Sequence, residues 1–253
     1  MSLRMRTSLS AMLASVVIAS GLAAVAASAV SAAGGGRPVC AAGEVRWLET
    51  WDRAHAGRLL APATIFRRPG AAPFLRLPLA DSYGFPTTVP IVAERLDRHC
   101  RPTWFRVRVR SYPNGTLGWI RAGTMATSRI RARIVIDVSS HRLFLYRRGR
   151  LVLDTPAAVG KPSTPTPRGR FYITQRFIVT TPHGPYGSRA LGVSAFSDVL
   201  RSWRDGGPVG IHGTNEPFSI GRPVSHGCVR LPERAMLALF GQVPLATPVV
   251  IRD

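Results

Sequence analysis

Two histidines and a cysteine stand close together in a glycine-rich setting near the C-terminus. The chain reads Ile211-His212-Gly213-Thr214 and then Ser225-His226-Gly227-Cys228-Val229-Arg230-Leu231. A thiolate is a strong nucleophile, but a free cysteine near pKa 8.5 is only a few per cent ionised at neutral pH. A nearby imidazole can take the proton and stabilise the resulting ion pair. His226 is two residues from Cys228 and badly placed for a direct bond. His212, arriving from another segment, can approach the sulfur side-on and is the better base. The Gly213 carbonyl could hold the far ring nitrogen and set the tautomer, the orienting role a carboxylate plays elsewhere. Backbone N–H groups of His226, Gly227 and Cys228 could face a developing oxyanion. Arg230 could clamp a substrate carboxylate with two prongs. Plainer readings stand beside these. Cys228, His212 and His226 could be three zinc ligands. Arg230 could be a surface charge, Ser225 and His226 could be structural, and Cys228 an inert or disulfide-bonded thiol.

The elements that must position these residues are mostly strands. Thr64-Ile65-Phe66, Val89 to Ala93, Trp104 to Val109 and Leu117 to Ile120 are short apolar runs broken by Pro and Gly. Pro113-Asn114-Gly115 turns the chain between the last two, a hairpin signal within a small all-β unit. Farther on, Ile134, Ile136 and Val138 alternate with Val135, and both faces are largely apolar, as a central strand allows. Further strands are expected at Leu143 to Tyr146, Leu151 to Leu153, Arg170 to Ile173, Phe177 to Val179 and Pro248 to Ile251. Helix is scarce: a turn or two at Asp198 to Trp203 and a short helix at Glu233 to Leu239. Cys40 to Ala56 reads as a helical or irregular lead-in. The fold class is mostly β, with four segments: 1–33, 34–60, 61–126 and 127–253.

Composition narrows the partners. The 253 residues hold 34 Lys+Arg against 13 Asp+Glu, a net charge of +21. Such a surface favours polyanions: nucleic acid, acidic membrane or anionic wall polymer. The N-terminus chooses among them. Arg4 and Arg6 precede an apolar stretch from about Ala11 to Ala27, then small residues at Ala27-Ser28-Ala29 and Ser31-Ala32-Ala33. That order describes a cleaved secretory signal over 1–33, with an uncleaved membrane anchor as the alternative. Export makes nucleic acid an unsuitable partner and points to an extracytoplasmic, periplasmic or cell-wall location. It also makes three cysteines informative: pairing Cys40 with Cys100 leaves Cys228 as the free thiol.

The His-Gly and Ser-His-Gly-Cys motifs, with their spacing, resemble the signature of the L,D-transpeptidase catalytic (YkuD-type) family. Ile134 to Ser139, Gly160 to Gly169 with Thr164-Pro165-Thr166-Pro167, Ala190-Leu191-Gly192 and Thr247-Pro248-Val249 extend the resemblance across about residues 131–253. It departs at Pro232-Glu233-Arg234, where an Asp or Asn is frequent, and at Ala246. The resemblance implies a β-sandwich-like domain with the cysteine at its cleft, acting on peptidoglycan stem tetrapeptides. It implies Cys228 as nucleophile, His212 as base and Gly213 as its orienting carbonyl. His226 and Gly227 match the oxyanion segment, and Arg230 matches the substrate-associated position, with Ser225 and Tyr186 as further substrate contacts. Tyr186 lies in Phe177 to Arg189, readable as a lid over the donor or as an ordinary hairpin connection. The implied reaction forms 3→3 crosslinks through a Cys thioester, without metal or organic cofactor, and is open to carbapenem-type β-lactams. Hydrolysis as an L,D-carboxypeptidase, attachment of protein to the wall, or wall binding without catalysis are the alternatives. Residues 61–126 resemble the bacterial SH3-like domains of wall enzymes, a small β-barrel that binds peptidoglycan or serves as a spacer.

Overall fold

The computed structural model describes residues 39–203 and 206–253, so the signal or anchor assigned to residues 1–33 lies outside the described residues. Eight strands form an N-terminal sheet: β1 (Val45–Trp47), β2 (Ala54–Leu59), β3 (Ala63–Phe66), β4 (Pro73–Leu77), β5 (Thr88–Leu96), β6 (Pro102–Arg108), β7 (Leu117–Arg121) and β8 (Met125–Ile130). Their order is β4-β3-β7-β6-β5-β2-β8, with β1 on β5. β5 is the pivot. β2 pairs with its first half and β1 with its second, while β6 runs antiparallel to it. The expected helical or irregular lead-in is therefore corrected to strand at 45–47 and 54–59. A three-residue run carries no readable period, and β1 exists because β5 offers it a partner. β6 and β7 form the hairpin read from Pro113-Asn114-Gly115. A disulfide joins Cys40 to Cys100, tying the segment before β1 to the β5–β6 turn.

The C-terminal sheet contains β9 (Ala132–Asp137), β10 (Arg142–Arg147), β11 (Arg150–Pro156), β13 (Gly169–Ile178), β14 (Arg189–Phe196), β15 (Pro208–His212), β17 (Val229–Arg230) and β18 (Pro248–Arg252). Its order is β11-β10-β9-β18-β13-β14-β15-β17. A two-residue strand, β12 (Val159–Gly160), pairs in parallel with β16 (Pro223–Ser225). The helix α1 spans Glu233–Phe240 and buries Met236 and Leu239, three residues apart on one face. β9 is a central strand, with Ile134, Val135 and Ile136 all buried between antiparallel β10 and parallel β18.

The two strands expected at Arg170 to Ile173 and Phe177 to Val179 are one ten-residue strand, β13. The polar Thr174-Gln175-Arg176 run reads as a break, yet Gln175 is buried, because its side-chain amide donates to Asp81 at 2.6 Å. β13 pairs with β18 through its first half and with β14 through its second. Asp198 to Trp203 contains bends and a turn rather than helix. The two sheets share a continuous apolar core. Buried Arg133 on β9 pins them further, donating to the carbonyls of Thr50 at 2.7 Å and Trp51 at 3.1 Å and pairing with Glu49.

Candidate active site

Cys228 and His212 come from neighbouring parallel strands. β15 and β17 pair Ile211 with Val229 and His212 with Arg230. Ile211 and Val229 are fully buried, which fixes the register, since a one-residue slip of either strand would turn its own buried residue outward. His212 and Arg230 consequently share the opposite face. Cys228 lies one step before β17, level with Gly210. Thiol and imidazole are then diagonal neighbours on one face, a spacing long side chains can bridge. Gly210 pairs in turn with Gly192 on β14. Two adjacent glycines leave bare backbone beside the sulfur, and a groove of about 680 Å³ opens over it, lined by Gly192, Gly210, His212, Cys228 and Tyr186 among others.

His212 is buried, and its Nδ1 lies 2.6 Å from the Gly213 carbonyl. A carbonyl only accepts, so Nδ1 carries the hydrogen and Nε2 keeps its lone pair, the tautomer a base needs. Burial pushes the imidazole pKa down to about 4, with the Gly213 carbonyl opposing and the Arg230 charge reinforcing the shift. Tyr186 packs edge-on against the ring, with centroids 4.9 Å apart. It sits on the loop between β13 and β14, which closes an antiparallel hairpin with Ile178 opposite Arg189. This loop is anchored from below: the Glu233 carboxylate accepts from the Ser188 N–H at 3.2 Å and from the Ser188 hydroxyl. A Cβ on Gly213 would fall 2.3 Å from that carboxylate and 3.0 Å from Gly187 Cα, so any larger residue beside His212 would displace the Glu233 anchor.

Burial raises the Cys228 thiol above its ordinary range, while the Gly210 backbone and Arg230 pull it partly back. Thiol up and imidazole down mean that the pair rests uncharged at neutral pH, not as the ion pair the sequence suggested. Alkylation of Cys228 by iodoacetamide is accordingly expected to climb roughly tenfold per pH unit from pH 6 to 8 and to keep rising beyond pH 9. A plateau between pH 6 and 8 would reveal a preformed thiolate and overturn this reading.

The loop bearing Cys228 is braced from within. Buried Ser225 donates its hydroxyl to the Cys228 carbonyl at 2.5 Å and accepts the Gly227 N–H at 3.1 Å. Ser225 is thereby corrected from a substrate contact to an internal brace, and the Gly227 N–H is already engaged rather than free for an oxyanion. Gly227 itself has φ 112°, a conformation side chains resist. Thr166 holds the loop from the other side, accepting the Gly160 N–H at 2.8 Å and donating to the Gly227 carbonyl at 3.0 Å. Thr166→Val keeps the shape but strands both backbone groups in the core. A loss of about 2–4 kcal/mol is expected in urea unfolding, and a change under about 0.5 kcal/mol would contradict the assignment.

Other expected roles fall differently. His226 is exposed, its ring tilted against Trp203 with centroids 5.7 Å apart. It does not join His212 and Cys228 as a ligand set, and among the described residues no three His, Cys, Asp or Glu side chains gather to hold a metal ion. The guanidinium expected to clamp substrate is already paired: Arg230 Nη1 donates to Glu216 Oε2. Cys228 is the free cysteine among the described residues. Sequence reasoning missed Glu216 and Glu233, which are lone acidic residues with no spacing signal. It also missed Gly192 and Gly210, whose pairing appears only once β14 and β15 align.

A mostly β domain that places a buried, tautomer-fixed histidine beside a free cysteine over an open groove defines a class of potential thiol acyl-transfer sites. Residues 131–251 match the family model of the L,D-transpeptidase catalytic domain, YkuD. Over residues 131–251, just under half of the chain, it is therefore similar to the L,D-transpeptidase catalytic domain. The provisionally named L,D-transpeptidase YkuD of Bacillus licheniformis is 43% identical over 119 residues, covering 47% of this chain and 64% of its own length. L,D-transpeptidase 1 of Mycobacterium tuberculosis is 27% identical over 133 residues, 46% of this chain and 49% of its own. The matches thus span less than two thirds of these curated relatives. Among solved structures, L,D-transpeptidase 3 of M. tuberculosis in complex with a faropenem-derived adduct is 16% identical, covers 56% of this chain and 76% of its own, and has a TM-score of 0.40.

Proposed function

We propose that this protein is an exported peptidoglycan L,D-transpeptidase that forms 3→3 crosslinks between stem peptides. The observation that carries the reading is the Nδ1-anchored, neutral His212 sharing one face and one groove with the free Cys228. In the proposed cycle the thiol gives its proton to His212 Nε2 as sulfur attacks the carbonyl between the L-centre of a diamino acid and terminal D-Ala. The C–N bond breaks, His212 returns the proton to the departing amine, and a thioester remains on Cys228. An amine of a second stem then attacks, passes its proton to His212 and releases the thiol with a new amide bond. The Cys228 N–H is the donor proposed for the oxyanion, since that of Gly227 is engaged within the loop. Tyr186, over the base and half in solvent, is the proposed contact for the donor peptide.

Two related features belong to the same proposal. The groove is expected to accept carbapenem-type β-lactams as acyl donors, and the basic surface to hold the protein against anionic wall polymer outside the cytoplasm. The test is incubation of purified protein with disaccharide tetrapeptide, followed by mass. Dimers with loss of one D-Ala support crosslinking. Tripeptide alone moves the assignment to an L,D-carboxypeptidase, and unchanged substrate removes the proposal.

A further inference from the structure

The catalytic groove is not built by the catalytic domain alone. Ser82, Tyr83 and Arg110, all from the N-terminal sheet and its loops, line it together with His212 and Cys228. The junction is specific. Phe177 of β13 lies between Tyr83 and Phe85, with ring centroids at 5.4 and 5.0 Å, both edge-on. Asp81 accepts from the Gln175 amide at 2.6 Å. The Asn114 side chain exchanges two hydrogen bonds with the Phe196 backbone, at 2.8 and 3.0 Å. These contacts hold one wall of the groove at a set distance from the nucleophile on the other.

We propose that Arg110 is a specificity-determining residue of this groove, its guanidinium receiving a carboxylate of the acyl donor. The inference rests on the acyl-transfer reading above and extends it to the substrate's charge. Arg110 is the one lysine or arginine among the described residues lining the groove. Its guanidinium carbon sits 5.0 Å above the Phe196 ring, which holds the group without neutralising it. Its Nε is buried with no hydrogen-bond partner, and no described carboxylate pairs with it. A buried donor left unpaired carries a desolvation cost that an incoming acceptor removes. Arg230, the other cation near Cys228, already has Glu216. Peptide donors of the proposed class are rich in carboxylates, and guanidinium matches that group in planar, two-pronged geometry.

Two measurements on the purified full chain test this. The first compares rates of Cys228 modification by anionic iodoacetate and neutral iodoacetamide. The iodoacetate-to-iodoacetamide ratio is expected to fall at least about threefold in Arg110→Gln and to survive in Arg110→Lys. An unchanged ratio in Arg110→Gln overturns the proposal, as does an equal fall of both rates, which would mean a packing role on Phe196. The second uses tetrapeptide donors in which each non-terminal carboxylate is replaced in turn by a carboxamide. Arg110→Gln is expected to raise KM about 10- to 100-fold for the donor with all carboxylates free, and to cost nothing further on the donor whose carboxamide replaces the contacted group. The same loss on every donor overturns it. If wild-type protein turns over no tetrapeptide, the acyl-transfer reading fails, and the alkylation ratio still decides whether Arg110 selects anions.

Discussion

Alanine at Cys228 is expected to abolish both tetrapeptide turnover and any covalent carbapenem adduct, while His212→Ala slows turnover by about a thousandfold. The two losses differ in kind. Without sulfur there is no atom to carry the acyl group, so intact-mass measurement should show unmodified protein at all times. Without His212 the sulfur remains, and hydroxide can still generate thiolate, so adduct forms slowly and faster at higher pH. The size of the histidine effect follows from the resting state. Because burial keeps the thiol protonated and the imidazole neutral, almost no thiolate exists before proton transfer, and general base catalysis has its full range to act. Product from Cys228→Ala equal to wild type would remove the covalent mechanism. A His212→Ala rate within about threefold of wild type would move the base elsewhere.

Gly160→Ala is expected to destabilise the protein by at least about 3 kcal/mol, at the upper end for overpacking, and to cost activity even where the chain remains folded. The added Cβ would fall 2.4 Å from the Thr164 carbonyl oxygen and the Thr166 nitrogen, and 2.7 Å from the Pro165 carbonyl carbon. These are backbone atoms and cannot rotate away. Relief requires the 164–166 turn to move, and that turn reaches the cysteine loop twice: Thr164 donates to the Ser225 carbonyl at 3.2 Å and Thr166 to that of Gly227. A displacement there carries directly to Cys228. Gly123→Ala is the matched control, since nothing lies within 4 Å of its Cβ, and it should stay within about 0.5 kcal/mol of wild type. Thermal unfolding of both, with turnover at a temperature where both are folded, checks the expectation. A wild-type-like Gly160→Ala would mean the turn is more pliant than its contacts imply.

Much of the scaffold is legible in the sequence because its strands obey their own period. Ile134-Val135-Ile136 announces a doubly buried strand, and Pro113-Asn114-Gly115 announces a hairpin. β14 and β15 give no such notice. Gly192, Ser194, Ala195 and Gly210 are small residues with weak strand preference, and they become strand only because β13 and β17 stand on either side. The site divides the same way. The cysteine and its histidine stand out through residue type and spacing. The Arg230–Glu216 pair, the Glu233 anchor and the Arg110 wall depend on contacts between separate segments, from fourteen residues apart upward, which no local pattern encodes. Ser225 is readable from the sequence both as a substrate contact and as structural, and its burial and two hydrogen bonds within the cysteine loop support the structural reading.

The parallel pairing of β15 with β17 changes what the sixteen-residue interval between His212 and Cys228 means. Parallel neighbours cannot be joined by a tight turn, so the chain must leave the sheet and come back. The relation between His212 and Cys228 is then held by Ile211 against Val229 and by the Leu231 N–H on the His212 carbonyl, at 2.9 Å. The excursion between them is held in its turn by Glu216 on Arg230 and by β16 on β12, and only around Phe218 does it project into solvent. That makes its tip a natural place to graft a tag or fluorophore a few residues from the chemistry, reporting on the groove without resetting it.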